Sequence, residues 1–450
     1  MLILLTHANH ILSDRKQARK MQPYPPLQTL IAASLLRSQG FDVAFFDATF
    51  DSGVERAIRH YQPDLVGVCE DNFNYLTKMC LLENRKLALE VARVCGERKI
   101  PALINSSDAS DHPQSYLDGG FDRVILGELE STLLDLAKHW PEQAAGTAWK
   151  NGAQVQFGAP RAPIELLDEL PPPAWDLVDI PSYRRAWLDA HGYFSLNLVT
   201  SRGCPYRCNW CAKPLYGDNY RHYSASRVAA DMECLKDLFA PDQIWFADDI
   251  FGLSGRWTRE FAACVEQRNA QIPFRIQSRC DLMTRDTVDA LQRAGCFEVW
   301  MGAESGSQKI LDAMDKGIRV SQIREARENL RRHSMRACFF LQLGYLGEGW
   351  EELEQTIQLV RETRPDDIGV SVSYPLPNTR FHQIVQTQMG RKANWSDSDD
   401  LEMMFQGAFS SEFYRALAHA LHQEVSSSSN DDLKYRQAWD KVEQLRCACC

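Results

Sequence analysis

Short apolar runs alternate with amphipathic stretches from residue 1 to about residue 145. The apolar runs predict strands at residues 1–6, 42–47, 65–69, 101–105 and 123–126. Apolar residues at helical spacing predict helices at residues 27–38, 54–61 and 85–98. Alternation of strand and helix predicts a parallel sheet with helices on both faces, which binds ligands at the carboxyl ends of its strands. Residues 1–145 are therefore expected to form a doubly wound α/β domain.

A second alternating region follows a linker. Residues 146–190 are rich in proline and glycine, and Pro171 to Pro173 cannot continue a helix or an interior strand. Within residues 191–380 the predicted strands are 196–200, 243–247, 274–277, 298–302, 337–343 and 367–373. Six strands with intervening helices predict a partial (β/α)6 barrel, whose chemistry lies at the carboxyl ends of its strands. Residues 381–450 are expected to be a short helical tail.

Composition narrows the class of protein. The chain has 450 residues, with 50 Lys and Arg against 60 Asp and Glu, a net charge of −10. Without a long basic run, this balance argues against binding to nucleic acid or an anionic membrane. No stretch reaches the ~20 apolar residues that span a bilayer. The apolar N-terminus lacks the basic flank and cleavage site of a signal peptide, so a cytoplasmic protein is expected.

The 14 cysteines are distributed unevenly. Eight are isolated, and most of these are expected to be small buried hydrophobic residues. A disulfide framework is not expected in a large acidic chain without a secretion signal. The other six form two tight groups: Cys204, Cys208 and Cys211, and Cys447, Cys449 and Cys450.

The central group is a CxxxCxxC motif directly after the predicted strand 196–200. Thiolates at this spacing in one loop can converge on one soft metal centre. Three ligands do not complete a structural zinc tetrahedron, and no nearby fourth Cys or His precedes His222. A 4Fe–4S cluster held by three cysteines leaves one iron open for a substrate or cofactor. The motif indicates such a cluster; the alternatives are a zinc loop with a remote fourth ligand and a chance group of buried cysteines.

Together with segments that follow the later strands, this motif resembles the radical S-adenosylmethionine (radical SAM) superfamily over residues 195–380. Residues 246–251 are similar to the segment after the second barrel strand, although Ala-Asp-Asp replaces the usual Gly-Gly-Glu. Residues 277–279 and 302–307 resemble the ends of the third and fourth strands, and residues 344–348 and 374–379 resemble the loops after the last two.

The resemblance implies a mechanism and a set of cofactor contacts. A cluster on Cys204, Cys208 and Cys211 would bind S-adenosylmethionine (SAM) and cleave it reductively, usually to a 5′-deoxyadenosyl radical that abstracts hydrogen from a small-molecule substrate. A reductant such as flavodoxin or ferredoxin would supply the electron. The implied SAM contacts are Asp248, Asp249, Ser278, Arg279, Glu304 and Ser305; no catalytic side chain is assigned. For Asp248, Arg279 and Glu304, the alternative is that they are solvated residues at strand ends or members of ion pairs.

Most of residues 1–180 resemble the cobalamin-binding-type domain that precedes many radical SAM cores. The resemblance is carried by residues 23–27 before a helix, Asp47 after the second strand, residues 127–133 and residues 171–176. The Asp-x-His-x-x-Gly signature that supplies an axial histidine is absent, and His7, His10 and His112 lack its context. Some relatives bind cobalamin without this histidine, and others have the domain without using the cofactor. Cobalamin held between the two domains would suit methyl transfer to carbon.

The second cysteine group places three thiols in the last four residues, where a buried core position is not expected. Cys447, Cys449 and Cys450 could clamp a soft metal or thiophilic substrate, form a redox pair or accessory cluster ligand, or belong to an unimportant tail. The clamp resembles radical SAM enzymes of arsinothricin biosynthesis, which implies 3-amino-3-carboxypropyl transfer from SAM to thiol-held trivalent arsenic. The alternatives are a cobalamin-dependent C-methyltransferase, a radical rearrangement or cyclisation, and an iron–sulfur metal sensor.

Overall fold

The structure is a computed structural model that describes residues 1–71, 73, 81–142, 144–213, 215–390, 392, 394–426 and 433–447. It divides into two compact units. The first unit comprises Met1–Cys204, Lys213–Asp248 and Asn394–Asp400. The second comprises Pro205–Ala212, Asp249–Ala393 and Leu401–Cys450. No helix among the described residues has the length and apolar character needed to cross a membrane.

The first unit is built on a seven-stranded sheet of order β2-β1-β3-β4-β5-β6-β7. Strands β1 to β5 are parallel, whereas β6 and β7 pair antiparallel at one edge. The strands are β1 (Leu2–Thr6), β2 (Asp42–Phe46), β3 (Leu65–Cys69), β4 (Ala102–Asn105), β5 (Arg123–Ile125), β6 (Thr147–Asn151) and β7 (Gln154–Phe157).

Helices cover both faces of this sheet, because successive side chains of a strand point to opposite sides. Leu4 belongs to a buried cluster on one face, whereas Ile3 and Leu5 belong to a second cluster on the other. The predicted doubly wound arrangement is therefore confirmed. The helices of this part are α1 (Arg15–Lys20), α2 (Leu27–Ser38), α3 (Val54–Tyr61), α4 (Leu82–Arg98), α5 (Ser107–Asp111), α6 (Pro113–Asp118), α7 (Leu129–His139) and α8 (Ile180–His191).

The hairpin of β6 and β7 lies in the segment that the sequence analysis assigned to the linker. Asn151 pairs with Gln154, which leaves a two-residue turn that begins with Gly152. Gly152 has a φ of +63°, a value that glycine adopts without strain at the first central position of a tight hairpin turn. Glycine at the first central position, followed by Ala153, is the sequence signal for this hairpin.

The first unit also contains the beginning of the second alternating region. Strands β8 and β11 pair in parallel, and β9 and β10 form a short antiparallel pair between them in the chain. Their bounds are β8 (Ser195–Leu198), β9 (Ser201–Arg202), β10 (Arg221–His222) and β11 (Gln243–Phe246), with α9 (Ala225–Phe239) before β11.

The second unit contains four parallel strands paired in chain order. They are β12 (Phe274–Ser278), β13 (Cys296–Glu304), β14 (Arg336–Leu343) and β15 (Asp367–Val372). With β8 and β11, these match the six strands predicted for the partial barrel, and the fold class is confirmed. The helices are α10 (Gly255–Arg268), α11 (Arg285–Ala294), α12 (Gln308–Ala313), α13 (Val320–Arg332), α14 (Trp350–Thr363), α15 (Arg380–Val385), α16 (Ser411–Ser426) and α17 (Leu433–Cys447).

Candidate functional site

Asp248 fixes the chain between β8 and the cysteine motif. The backbone N–H and the hydroxyl of Thr200 each donate to Asp248 Oδ1 at 2.9 Å, and the hydroxyl of Ser201 donates to the same oxygen at 2.5 Å. The other carboxylate oxygen, Oδ2, is buried without a hydrogen-bond partner. Burial raises the pKa of Asp248 to about 6, although the hydrogen bonds oppose this. An unpaired buried oxygen of this kind suits a ligand that donates a hydrogen bond.

The residue directly before the motif lies at a position that only glycine can occupy. Gly203 has a φ of +77°, and a Cβ on it would lie 2.4 Å from the carbonyl oxygen of Asn219. The segment after the motif also holds the backbone of Cys204. Lys213 Nζ donates to the carbonyl oxygen of Cys204 at 2.7 Å, and the N–H of Cys204 donates to the carbonyl oxygen of Gly217 at 3.3 Å. The first cysteine therefore has a fixed backbone.

A buried four-charge network, which the sequence analysis missed, anchors the β9–β10 pair beside the motif. Arg202 donates to Glu130 Oε1 at 2.6 Å and to Glu128 Oε2 at 3.1 Å, and Arg221 donates to Glu128 Oε1. All four side chains are at least nine-tenths buried. Burial alone would lower the pKa of Arg202, but the charge of Glu130 leaves it well above its usual value. Two positive and two negative charges balance one another at the start of α7.

The residues between the second and third cysteines are held by the second unit. Asn209 Nδ2 donates to the carbonyl oxygen of Ala313 at 2.7 Å, and its Oδ1 accepts from Tyr345 Oη at 2.9 Å. Trp210 packs on an apolar cluster that includes Met314 and Phe381. These contacts fix the backbone that carries Cys208 and Cys211.

Two cations lie beside Cys208. The guanidinium carbon of Arg279 is 3.6 Å from the ring centroid of Tyr206, and Lys316 Nζ is 6.0 Å from that of Trp210. Burial alone would lower the pKa of each cation, but Asp281 beside Arg279 and Glu304 beside Lys316 raise it, with a smaller contribution from Cys208 in both cases. Cys208 is therefore within electrostatic range of both.

Glu304 occupies a strained position that a salt bridge stabilises. Its φ is +61°, in the left-handed region that residues other than glycine rarely adopt. Its Oε1 accepts from Lys316 Nζ at 2.7 Å, and both side chains are buried. A Cβ on Gly302 would lie 2.5 Å from each of these two atoms, so the glycine makes room for the pair. Glu304 was predicted from the sequence as a SAM contact, whereas Lys316 was not.

The remaining predicted SAM contacts differ in their burial and in their hydrogen bonds within the protein. Ser278 Oγ donates to the carbonyl oxygen of Phe251 at 3.0 Å. Ser305 is fully buried, and its hydroxyl lies 3.1 Å from that of Thr356 on α14. Asp249 is half-buried at the start of the second unit. Their roles toward SAM stay predictions.

The donor chemistry of the three motif cysteines fits an iron–sulfur cluster. All three motif cysteines are partly exposed, whereas Cys280 is buried and burial raises its pKa to about 12. Across the described residues, no group of three or more His, Cys, Asp or Glu side chains could hold a metal ion. Thiolates on a cubane cluster each bind a different iron and so lie farther apart than the ligands of one ion. The cluster on Cys204, Cys208 and Cys211 stays a prediction.

Polar residues line the carboxyl ends of the parallel strands in the first unit. His7, after β1, has both ring nitrogens engaged: Nδ1 accepts from the N–H of Asn9, and Nε2 lies 3.0 Å from Asp47 Oδ1. After β3, burial raises the pKa of Asp71 to about 6 although two backbone N–H groups donate to it. His7 is therefore not available as an axial ligand, and this edge fits cobalamin only without an axial ligand from His7.

The carboxyl ends of β14 and β15 carry three buried polar atoms without hydrogen-bond partners: Gln342 Oε1, Glu348 Oε1 and Ser373 Oγ. Gln342 pairs in register with Ser371, so Gln342 and Ser373 share one face of the sheet. Burial raises the pKa of Glu348 to about 8, although its Oε2 accepts from the N–H of Gly344 at 2.5 Å. Unsatisfied polar atoms at this edge suit a polar small-molecule ligand.

The C-terminal thiols are described only in part. Cys447 is exposed at the end of α17, whereas Cys449 and Cys450 lie outside the described residues. Arg446 pairs with Glu443 at 2.7 Å, and its guanidinium carbon is 4.3 Å from the ring centroid of Trp350. The thiol clamp stays a prediction.

Comparisons with known proteins agree with this arrangement. Residues 198–360 match the Radical SAM superfamily. An uncharacterized methyltransferase of Pyrococcus horikoshii is 26% identical over 369 residues, which are 79% of this chain and 77% of that protein.

Two solved structures share the fold over 100% of this chain. The radical SAM methyltransferase TsrM from Kitasatospora setae, solved with cobalamin and a 4Fe–4S cluster, matches over 89% of its own chain with a TM-score of 0.70 and 16% identity. The cobalamin-dependent SAM radical enzyme OxsB, solved with aqua-cobalamin and SAM, matches over 71% of its own chain with a TM-score of 0.72 and 18% identity. Residues 198–360 therefore form a radical SAM domain, and the chain as a whole is similar in fold to two enzymes whose structures were solved with cobalamin.

Proposed function

We propose that this protein is a cobalamin-dependent radical SAM methyltransferase that acts on a small-molecule substrate. The observation that carries the proposal is the likeness in fold, over the whole chain, to two enzymes whose structures contain cobalamin. One of them and the Pyrococcus relative are named methyltransferases. Methyl transfer, an alternative in the sequence analysis, is thus better supported than aminocarboxypropyl transfer to arsenic.

In this proposal, Cys204, Cys208 and Cys211 hold the 4Fe–4S cluster. The partial exposure of all three thiols supports that role, as do the hydrogen bonds from Lys213 to the carbonyl oxygen of Cys204 and from Asn209 to that of Ala313. The unpaired oxygen of Asp248 would accept a hydrogen bond from the amino group of SAM, with Asp249 beside it in sequence. Ser278, Arg279, Glu304 and Ser305 follow the ends of β12 and β13 and would serve its carboxylate and ribose.

Cobalamin would bind at the carboxyl ends of β1 to β5, where ligands of doubly wound sheets bind. Because both nitrogens of His7 are engaged, the chain would hold the corrin without that side chain as an axial ligand. When bound, cobalamin supplies a transferable methyl group, and the cluster with SAM supplies one-electron chemistry. The chain's own residues would bind and orient these groups.

The substrate would contact the carboxyl ends of β14 and β15. Gln342 Oε1 and Ser373 Oγ are buried and unpaired on the same face, so they can bind polar groups of a small molecule without first giving up a protein partner. Glu348 follows β14, the strand that carries Gln342, and its raised pKa of about 8 keeps a proton on its carboxyl group at neutral pH. A protonated carboxyl can donate a hydrogen bond to a substrate oxygen.

The products of SAM distinguish the proposed reaction from its alternatives. Full-length protein would be reconstituted anaerobically and incubated with SAM and dithionite, with and without cobalamin, and the products measured by mass spectrometry. We expect cobalamin to bind and S-adenosylhomocysteine to form only in its presence. The matched control lacks the motif thiols of Cys204, Cys208 and Cys211 and should form no 5′-deoxyadenosine. Methylthioadenosine as the main product would overturn methyl transfer in favour of aminocarboxypropyl transfer.

A further inference from the structure

Cys208 differs from an ordinary loop cysteine because a cation lies against the aromatic residue on each side of it. Arg279 lies over the ring of Tyr206, two residues before Cys208, and Lys316 lies near the ring of Trp210, two residues after it. Arg279 Nη2 also donates to the carbonyl oxygen of Lys316 at 3.0 Å, so the two cations are held in one constellation.

Arg279 and Lys316 have different acidic partners. Arg279 Nε and Nη2 donate to Asp281 at 2.9 and 3.3 Å, an acid two residues away on the same segment. Lys316 pairs instead with Glu304, whose backbone is held in a strained conformation on β13. The side chains of Lys316 and Glu304 are only 7% and 6% exposed, so solvent screens their charges weakly. Gly302 leaves the space in which the pair sits.

We propose that the Lys316–Glu304 ion pair sets the reduction potential of the cluster ligated by Cys208, with Lys316 raising the potential and Glu304 partly offsetting it. The inference rests on the proposed function in one respect, that a 4Fe–4S cluster binds at the cysteine motif. It assigns a role to Lys316, which is not among the predicted SAM contacts, and a second role to Glu304, which is.

The physical reason is electrostatic. Reduction adds one electron to the cluster, with no bond formed or broken, so the reduced form carries one more negative charge. A buried ammonium nearby stabilises that charge, and a carboxylate disfavours it, because attraction and repulsion are stronger in a low-dielectric interior than in water. Reductive cleavage of SAM requires this reduced form, so the pair would control how readily an external reductant primes the enzyme.

The test measures the midpoint potential of the cluster in four variants of the full-length, anaerobically reconstituted protein without SAM. The readout is the electron paramagnetic resonance signal of the reduced cluster during a mediated dithionite titration. The variants are Lys316→Met, Glu304→Gln, the double variant, and Lys309→Met as a matched control. Lys309 is also a lysine that pairs with a glutamate at 2.7 Å, but its side chain is 65% exposed.

We expect Lys316→Met to lower the potential, Glu304→Gln to raise it, and the double variant to fall between them. Lys309→Met should leave it unchanged. Lys316→Met leaves Glu304 buried and unpaired, so this variant can fail to fold. In that case the potentials of Glu304→Gln and of the double variant test the inference. The double variant keeps the local net charge. Equal potentials in Glu304→Gln, the double variant and wild type would overturn the inference. Wild-type protein that takes up no iron and sulfide would instead overturn the proposed function.

Discussion

Thr200 donates two hydrogen bonds to a single oxygen of Asp248, one from its backbone N–H and one from its hydroxyl, each 2.9 Å long. With the hydroxyl of Ser201 as a third donor, this oxygen is saturated, and the other carboxylate oxygen is buried without a partner. One oxygen of Asp248 therefore has a structural role, because it fixes the chain after β8, and the other is an unused hydrogen-bond acceptor. The alternative of a merely solvated strand end does not describe it, because the side chain is buried.

Asp248→Asn should weaken SAM binding while leaving the fold intact. The amide oxygen can still accept from Thr200, but the free oxygen becomes an NH2 group that cannot accept from the SAM amino group. Loss of a hydrogen bond to a charged group costs ~1.5–3 kcal/mol, so we expect about a 10- to 100-fold weaker Kd. Calorimetry with anaerobically reconstituted protein measures the Kd, and Thr200→Val controls for the structural bonds. Wild-type affinity in Asp248→Asn would exclude this contact.

The same carboxyl predicts a pH dependence of SAM binding. Burial raises the pKa of Asp248 to about 6, so the group is ionised at pH 8 and increasingly protonated as the pH falls through 6. Because the ionised form is the better acceptor, SAM affinity should fall between pH 8 and pH 5.5 in the wild type. In Asp248→Asn this part of the dependence should vanish. Parallel pH profiles in both proteins would assign the effect to another group.

Replacement of Cys204, Cys208 and Cys211 by Ala should abolish cluster binding. Iron and sulfide content after anaerobic reconstitution measure the loss. Cys234 and Cys264 supply the matched control, because they are isolated and no more buried than the motif cysteines. Their double Ala variant should retain the full cluster. Undiminished iron and sulfide in the triple variant would place the cluster elsewhere in the chain.

Glu130→Gln should destabilise the protein far more than the same change at an exposed ion pair. Removing this charge leaves the buried Arg202 short of a partner, and breaking a buried pair costs ~3–5 kcal/mol. Glu90→Gln breaks the exposed Arg93–Glu90 pair, whose charges solvent screens, so a much smaller loss of stability is expected. Urea midpoints followed by circular dichroism compare the two variants. Equal midpoints would mean that the network does not hold the β9–β10 pair in place.

Much of the fold could be predicted from the sequence because its signals are local. Apolar runs marked β1 to β5 and the six strands of the second region, and the spacing of the cysteines marked the motif within eight residues. The β6–β7 hairpin had a local signal too, the turn Gly152-Ala153, but the surrounding prolines and glycines favoured a linker. Its short strands lack the apolar runs that identified the others.

The missed site residues depend on contacts between distant parts of the chain. Arg202 meets Glu130 across 72 residues, and nothing near either one in sequence indicates the pairing. Lys316 is 12 residues from Glu304, on a loop after α12 that no motif marks. The strand-end residues Asp248 and Glu304 could be found because parallel strands bring their carboxyl ends to one edge. Their partners could not, since charge pairing inside a core leaves no periodicity.

Glu348→Gln should stabilise the protein increasingly as the pH rises. Burial raises the pKa of Glu348 from the ordinary 4.5 to about 8, so the folded state favours the protonated form. The stability that this proton contributes is fully present below pH 4.5 and is lost as the pH rises through 8. Glutamine has no proton to lose, so the stability of the variant should not fall in this way. The variant and the wild type should differ little in stability at pH 5. The variant should be the more stable at pH 7 and most clearly at pH 9.

Urea midpoints at the three pH values measure this difference. The control is Glu351→Gln, at an exposed glutamate on α14, which should show no such divergence from the wild type. A constant difference across the pH range would show that Glu348 is ionised in the folded protein, and its free oxygen would then be an acceptor, not a donor, toward the substrate.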